Sequence, residues 1–411
     1  MLESLRHTRD EFPFRFWVLA LTTFVDVVGA TLLWPYFSLY VTLRFGVGMT
    51  QAGALLAIFT IGGLVGGMIG GALTDRFGRR SLVLFGLVFS ALSTLAIGWA
   101  STLSMLRLIA VPIGVLSEAA GPARQAMVAD LLPEEKRNEG FGILRVVANL
   151  AWIIGPTIGG LVANRSFQLL FIIDAIISLV TAAIVFRLLP ETRPETSATR
   201  ERESMWQTLA GYGVVLRDGG FIAFMVVSAL LLVVYQQLYT TLSVYLRDYR
   251  GIAAQGYGLL LSINAVLVVL SQFWLTRKVR NVPPNVVMAA AALLYMLGFG
   301  MYGFVGYYAL MVVAVLVITV GEMLAVPTSQ SLAALYAPED YRGRYMAAFG
   351  LSWAIPSAVA PVAGGMLLDR GYANWVWYLG GVLCAAAAIG FLGLHRATGK
   401  RIAVAPLPQD A

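Results

Sequence analysis

Cysteine, histidine and charged residues are all scarce in this chain of 411 residues. It contains one cysteine, Cys384, and two histidines, His7 and His395. A single cysteine excludes a disulfide within the chain and a thiolate metal site, and histidines outside the apolar segments disfavour a histidine-ligated metal centre. Charged residues make up 12% of the sequence, too few to cover the surface of a soluble protein of this length.

Apolar residues, in contrast, are abundant and occur in long runs. Hydrophobic residues make up 59% of the chain, and they form blocks of about twenty residues, the length that a helix needs to cross hydrocarbon. Because a bilayer core supplies no hydrogen-bond partners, such blocks must be helices. The pattern predicts twelve spans, beginning near Phe16, Gln51, Ser81, Leu103, Gly140, Phe167, Gly219, Gln255, Val286, Tyr308, Met346 and Asn374.

The net charge is +7, and the arginine and lysine residues that produce it are unevenly distributed between the loops. Most basic residues lie in alternate loops, and the intervening loops contain only Arg44, Arg165, Arg247, Arg250 and Arg370. By the positive-inside rule, the basic loops and both termini face the cytoplasm. We therefore predict a multi-pass protein of a bacterial-type plasma membrane and no nucleic-acid partner.

The two halves of the chain resemble each other at a constant shift of 205 residues. Matching pairs are Gly159 with Gly364, Pro133 with Pro338, Pro122 with Pro327, and Tyr40 with Tyr245. We predict an N-terminal six-helix bundle at 1–189, a cytoplasmic linker at 190–205 and a C-terminal six-helix bundle at 206–411. Transporters built from such repeats bind their substrate near the membrane midplane.

The loop after the second block, 71–80, reads GALTDRFGRR. It closely resembles the G-x-L-a-D-r-x-G-r-r signature of the major facilitator superfamily and has the same place in the chain. The resemblance implies an all-α membrane protein whose twelve transmembrane helices form two six-helix bundles related by pseudo-two-fold symmetry. It assigns a conformational role to Gly71, Asp75, Arg76, Gly78, Arg79, Arg80 and Asp130.

These signature residues have individual expected roles. Gly71 is expected to let two helices approach closely, and Gly78 to permit a tight turn. Asp75 is expected to face the positive end of a neighbouring helix, and the arginines to pair with acids such as Asp130. The alternative is a basic loop that only sets topology.

The fifth block carries small residues at helical spacing and one proline. It resembles the antiporter signature of drug–proton exporters in the superfamily, with Ala151 in place of one glycine. The positions concerned are Gly142, Arg145, Gly155, Pro156, Gly159 and Gly160. Small residues permit close helix contact and Pro156 bends the helix, although ordinary membrane packing uses the same pattern.

Three acids, Asp26, Glu118 and Glu322, fall near the middle of predicted spans. Asp26 precedes Pro35 by the spacing found in the first span of tetracycline and drug exporters, and Glu322 resembles a tenth-span acid of some multidrug exporters. A low-dielectric site favours the neutral form of a carboxyl group, so we predict that these acids couple transport to protons. The alternative is a fixed ion pair with an arginine such as Arg145.

Aromatic, amide and methionine side chains on the predicted cavity-lining helices supply candidate substrate contacts. Such side chains bind varied apolar surfaces without a fixed hydrogen-bond pattern. The predicted cavity residues are Trp34, Tyr36, Asn149, Trp152, Tyr235, Gln236, Gln237, Tyr239, Asn264, Met323 and Trp353.

The sequence thus predicts a monomeric secondary active transporter that exports small amphipathic or drug-like molecules in exchange for protons by alternating access. The proton gradient supplies the driving force, and no cofactor is expected. The alternatives are a metabolite, sugar or lipid exporter or facilitator of the same fold and, less favoured, a receptor or scaffold. An enzyme is disfavoured because the chain has no G-x-x-x-x-G-K-[ST] loop and no H-E-x-x-H motif.

Overall fold

The computed structural model of this chain describes residues 11–192, 213–338 and 341–398, apart from the side chain of Asn138. These residues form helices and no strands. Twelve helical segments among them are long and apolar enough to cross a membrane. Numbered span 1 to span 12 in chain order, they are Phe14–Phe45, Met49–Phe77, Arg79–Trp99, Leu103–Leu131, Glu134–Ala163, Phe167–Leu188, Gly219–Gln236, Ala254–Val279, Pro284–Phe304, Tyr308–Tyr336, Arg342–Asp369 and Trp375–Thr398. The predicted fold class is confirmed.

The described residues divide into two compact units. The first contains the residues up to position 200 together with Leu246–Ala265, and the second contains 201 to Tyr245 and Val266 onward. The first unit therefore holds spans 1 to 6 and the first half of span 8. Most of the predicted linker, from position 193 onward, lies outside the described residues, so the predicted domain boundaries remain a prediction.

Two of the spans are interrupted by a short 3₁₀ turn. Span 1 changes to a 3₁₀ turn at Trp34–Tyr36, where Pro35 has no N–H to donate to the preceding turn. Span 4 does so at Glu118–Ala120, directly before the helix Gly121–Leu131. The second interruption places the predicted acid Glu118 at the break.

Glycines on one face of span 2 bring it against span 4. A Cβ atom at Gly66 would overlap the Val115 carbonyl, and one at Gly70 would overlap the Ala119 carbonyl. Gly71, where the close approach was expected, has no atom within 4 Å of its Cβ position. The contact lies one residue earlier because positions four apart share a helix face, and Gly71 is turned away from it.

A repeated hydrogen bond reflects the sequence repeat in the structure. Tyr40 donates its hydroxyl to the Ile97 carbonyl at 3.0 Å, and Tyr245 donates to the Tyr302 carbonyl at 2.8 Å. In both bonds donor and acceptor are 57 residues apart, and each bond lies within one unit. Equivalent residues of the two halves thus make equivalent contacts.

Candidate transport site

A cavity of about 430 Å³ lies inside the first unit; we call it the N-terminal cavity. Its charged lining residues are Asp26 of span 1 and Glu118 and Arg124 of span 4. Hydroxyl and aromatic side chains complete much of the wall, namely Thr23, Ser90, Ser93, Thr94, Ser117, Trp34 and Phe141. Of the predicted substrate contacts, Trp34 therefore lines a cavity that also contains two of the predicted acids.

Asp26 is paired with Arg124 across this cavity. The Arg124 Nη1 atom lies 2.7 Å from Asp26 Oδ2, and the two side chains are 32% and 20% exposed. Arg145, the partner considered from the sequence, is exposed on span 5 and forms no ion pair with a described residue. The sequence argument overlooked Arg124 because it assumed shorter spans, whereas span 4 extends over 29 residues and includes it.

Glu118 lines the same cavity without a hydrogen bond or ion pair to any described residue. Gly63 of span 2 and Gly121 lie beside its side chain. Since Asp26 and Arg124 cancel each other in charge, Glu118 is the uncompensated charged group of the N-terminal cavity when it is ionised.

A fourth charged residue, Asp174 of span 6, lies behind the cavity wall. Its side chain is buried and accepts a hydrogen bond of 2.8 Å from Thr94, while its other oxygen faces Gly29. Asp174 is close enough to Asp26 for the two carboxyl groups to interact electrostatically. Within the described ranges, no group of three or more His, Cys, Asp or Glu side chains is arranged to hold a metal ion.

The second unit contains a different arrangement around Glu322. This half-buried acid of span 10 interacts electrostatically with Tyr235, Tyr239 and Tyr295. The hydroxyls of Tyr235 and Tyr239 are 3.0 Å apart, and the Tyr235 ring stacks on Tyr295 at 5.7 Å. Trp353 packs edge-on against Tyr235 at 6.4 Å. We call these five residues the aromatic cluster. Sequence reasoning missed Tyr295, which belongs to no charged or glycine-rich motif.

Two predicted cavity residues are committed to helix packing. Tyr36 is fully buried, donates a hydrogen bond to the Pro156 carbonyl and packs edge-on against Tyr257 at 5.6 Å. Gln237 is buried, donates to the Ala360 carbonyl at 2.9 Å and accepts from Thr241. The polar atoms of both side chains are hydrogen-bonded to backbone or side-chain partners, so neither is placed to bind a substrate.

The remaining predicted cavity residues differ in their hydrogen bonds, their burial and their position relative to the N-terminal cavity. Gln236 donates to Ser357, and Met323 is buried. Three others do not line the N-terminal cavity. Asn149 and Trp152 are half-buried on span 5, and Asn264 is buried on span 8.

The signature loop forms an ion-pair cluster within the first unit. Arg79 donates from Nε to Asp130 at 3.1 Å, and its Nη1 lies 3.8 Å from Asp75. Gly78 has φ +91°, a conformation that favours glycine, and so provides the tight turn between spans 2 and 3. Arg76 is exposed, with its guanidinium 5.4 Å from the Phe77 ring centroid.

A carboxylate not identified from the sequence caps span 3. Glu191, just after span 6, accepts hydrogen bonds from the backbone N–H groups of Arg79 at 2.8 Å and Arg80 at 3.2 Å. An acid at a helix N-terminus is favoured by the helix dipole. Within this unit Glu191 has the capping position, while Asp75 contacts Arg79.

The small residues of span 5 differ in what they contact. Gly155 faces Thr31, and Gly159 faces the Leu32 carbonyl. Gly160 lies against the start of span 8 at Ala254. Gly142 has no atom within 4 Å of its Cβ position, so the close contact is confined to the second half of the span.

Comparison with known proteins gives a consistent assignment. Residues 19–361 match the family model of the Major Facilitator Superfamily. The chain is 28% identical over 398 residues to a Na(+), Li(+), K(+)/H(+) antiporter of Planococcus maritimus, covering 90% of this chain and 93% of that protein. It is 25% identical over 395 residues to the multidrug resistance protein MdtH of Salmonella typhimurium, covering 93% and 95%.

Solved structures share the fold at low sequence identity. A POT family transporter in complex with 5-aminolevulinic acid has a TM-score of 0.79 at 16% identity, with 95% of this chain and 97% of that chain covered. The nucleoside transporter NupG has a TM-score of 0.80 at 11% identity, with 92% and 99% covered. At these identities the likeness concerns the fold alone.

Proposed function

This chain belongs to the major facilitator superfamily, and we propose that it exports small amphipathic, drug-like cations in exchange for protons. As a member it is a multi-pass membrane transporter and not an enzyme. The observation that carries the proposal is Glu118, an unpaired carboxyl group in the N-terminal cavity. The basic loops support the further proposal that both termini face the cytoplasm of a bacterial-type plasma membrane.

Proton coupling is proposed for Glu118 because it is an exposed carboxyl group that lines the N-terminal cavity and has no ion-pair partner among the described residues. Removal from water favours the neutral carboxyl, whereas access to the cytoplasm and its water favours release of the proton. A group whose environment changes in this way between the two access states binds a proton on one side and releases it on the other. The paired Asp26 has a fixed counterion and is less suited to that role.

The aromatic cluster supports a cationic, amphipathic cargo. A carboxylate supplies a counter-charge, and the faces of tyrosine and tryptophan rings attract cations and bury apolar surface. Glu322 together with Tyr235 and Trp353 offers both contributions in one place. The similarity to a protein named for multidrug resistance supports the same substrate class.

A flux assay in inside-out vesicles with ethidium as the probe tests the proposal. An acid lumen should drive uptake by the wild type, and Glu118→Gln should lose the response to the pH gradient because the amide cannot exchange a proton. Glu134→Gln, an exposed acid in the first turn of span 5, is the matched control and should retain it. Gradient-driven uptake by Glu118→Gln at the wild-type rate would refute the role of Glu118.

A second candidate function is exchange of an alkali-metal cation for protons. It is favoured by the similarity to the Planococcus maritimus antiporter and by the oxygen-rich wall of the N-terminal cavity, since hard cations prefer oxygen ligands. Replacing ethidium with sodium chloride in the same vesicles distinguishes the two candidate functions, drug–proton exchange and cation–proton exchange. Collapse of the pH gradient by Na⁺, and not by ethidium, would favour this candidate.

A further inference from the structure

We propose that a second cavity of the first unit binds the headgroup of an anionic phospholipid. This cavity, which we call the corner cavity, has a volume of about 280 Å³ and lies where spans 1, 3 and 6 meet. Its polar lining residues are Tyr40, Arg44, Ser166 and Gln168. It shares no lining residue with the N-terminal cavity, so the proposal is independent of the transport cycle proposed above.

The side chains that line the corner cavity offer hydrogen-bond donors and one positive charge. Arg44 is exposed and forms no ion pair with any described residue. The Ser166 hydroxyl and the Gln168 amide have no hydrogen-bond partner within the part of the chain that the structure describes. No acidic residue of the described ranges lines this cavity. A guanidinium and two neutral donors that line one space suit an anionic oxygen group such as a phosphate.

A packed aromatic wall supports Arg44 at the corner cavity. Tyr40, one turn earlier on span 1, is buried and donates its hydroxyl to the Ile97 carbonyl at 3.0 Å. Its ring centroid lies 4.7 Å from that of Phe171 and 5.9 Å from that of Phe167. Arg44 interacts electrostatically with the Tyr40 side chain. The cation is therefore carried by a wall that is itself fixed by packing and by a hydrogen bond.

The corner cavity lies at the end of the unit where basic residues are rare. The end of span 1, the end of span 3 and the start of span 6 form it, opposite the signature loop between spans 2 and 3. Arg44 lines the cavity, and Arg165, also exposed and without an ion pair to a described residue, directly precedes Ser166. Arg247, another basic residue of this side, pairs with Asp248. Two arginines without acids, on a side that is otherwise poor in positive charge, indicate an anionic partner.

The surroundings of the corner cavity favour a lipid over a free anion. Trp99, which follows the lining residue Gly98, is exposed at the end of span 3, the position of a tryptophan at a membrane–water interface. Leu169, Ile176 and Val180 are exposed along span 6 and share one helix face, because they are seven and four residues apart. An acyl chain that covers this face places its headgroup at the cavity.

An anionic headgroup fits the corner cavity better than a zwitterionic one. The ammonium group of phosphatidylethanolamine or phosphatidylcholine needs a counter-charge, and no described lining residue supplies a carboxylate. Phosphatidylglycerol carries only the phosphate charge, and its glycerol hydroxyls match the neutral groups of Ser166 and Gln168. The volume of about 280 Å³ is close to the lower limit of roughly 300 Å³ for ligand pockets, so it suits a headgroup.

The test titrates the purified full chain in detergent with dihexanoyl phosphatidylglycerol and follows the midpoint of thermal unfolding, which rises when a ligand binds the folded state. The wild type should bind this lipid more tightly than dihexanoyl phosphatidylcholine or sodium phosphate. Arg44→Gln should weaken phosphatidylglycerol binding about fivefold, the effect of one basic residue on an anionic lipid. Arg107→Gln is the control and should bind like the wild type, because this exposed arginine of span 4 bonds to Gln51 outside the corner cavity.

Three results would overturn the proposal. One is equal affinity of the wild type and Arg44→Gln for phosphatidylglycerol, and another is equal affinity of the wild type for phosphatidylglycerol and phosphatidylcholine. Sodium phosphate that binds as tightly as phosphatidylglycerol would show a site for a free anion and not for a lipid. If Arg44→Gln does not fold, Gln168→Glu decides, because this exposed position tolerates a carboxylate that repels the phosphate. Gln168→Glu should lose the preference for phosphatidylglycerol, and an unchanged preference would contradict the proposal.

Discussion

At the scale of single residues, charge pairing sets which groups of the N-terminal cavity are available for chemistry. Asp26 and Arg124 satisfy each other at 2.7 Å, and Glu118 has no partner among the described residues. Removing one member of this partly exposed pair leaves the other charge without its counter-charge, at a cost that solvent reduces. The two acids of this cavity thus differ in their partners although their residue types are similar.

Tyr36 gives a residue-scale prediction about stability. Replacement of Tyr36 by Phe removes the hydroxyl that donates to the Pro156 carbonyl while keeping the buried ring. We expect a loss of about 1 kcal/mol in the free energy of unfolding, typical of a hydrogen bond within a membrane protein. Thermal unfolding in detergent measures it. Tyr307→Phe, at a 79% exposed site, is the control and should unfold like the wild type. Equal unfolding temperatures for both variants would show that the bond contributes nothing.

The sequence predicted which polar residues lie within the spans better than it predicted what their side chains contact. The apolar blocks predicted that Asp26, Glu118 and Glu322 lie near the middle of their spans, but they did not predict the ion partner of Asp26. Arg124 lies in a polar stretch that a twenty-residue span leaves in a loop, and the longer span 4 takes it into the bundle. Tyr36 was predicted to line the cavity because hydropathy does not tell which face of a helix meets a neighbour.

At the scale of elements, glycine spacing determines how spans 2 and 4 pack. Gly62, Gly66 and Gly70 recur every four residues and face the backbone of span 4. Small residues at this spacing let two helix backbones approach closely, which favours association in lipid. Glycine content was evident in the sequence, but the contacting face was not, and the expected contact at Gly71 proved to belong to Gly70.

A pair of adjacent glycines provides the element-scale prediction. Gly66→Val should destabilise the protein by about 3 kcal/mol or more, because the added side chain overlaps the Val115 backbone, which cannot yield as a side chain can. Gly67→Val meets no atom within 4 Å and should change stability by less than about 0.5 kcal/mol. The two substitutions are chemically identical and differ only in helix face. Comparable midpoints of thermal unfolding for the two variants would contradict the packing described here.

At the scale of the whole molecule, duplication explains why so much of the fold was predictable. Spans and their approximate starts follow from apolar blocks, since only helices satisfy the backbone in a bilayer. The 205-residue repeat then relates distant segments, and the Tyr40 and Tyr245 hydrogen bonds show equivalent residues in equivalent contacts. Charge pairing breaks this equivalence: the first unit has an ion pair and a free acid, and the second has an acid among tyrosines.

This asymmetry supports separate tasks for the two units in the proposed transport cycle. The N-terminal cavity supplies the group suited to proton exchange, and the aromatic cluster supplies the group suited to an amphipathic cation. Motifs identified the superfamily, whereas the proposed division of tasks rests on side-chain positions. If the two units act together in the proposed cycle, protons move in the direction opposite to the transported cation.

The most direct test of this coupling is the sign of the pH change in sealed proteoliposomes loaded with ethidium and diluted without an imposed pH gradient. Exchange predicts that protons enter as ethidium leaves, so a pH-sensitive dye trapped in the lumen should report acidification by the wild type and none in empty liposomes. A lumen that becomes alkaline, or that keeps its pH while ethidium leaves, would contradict proton exchange.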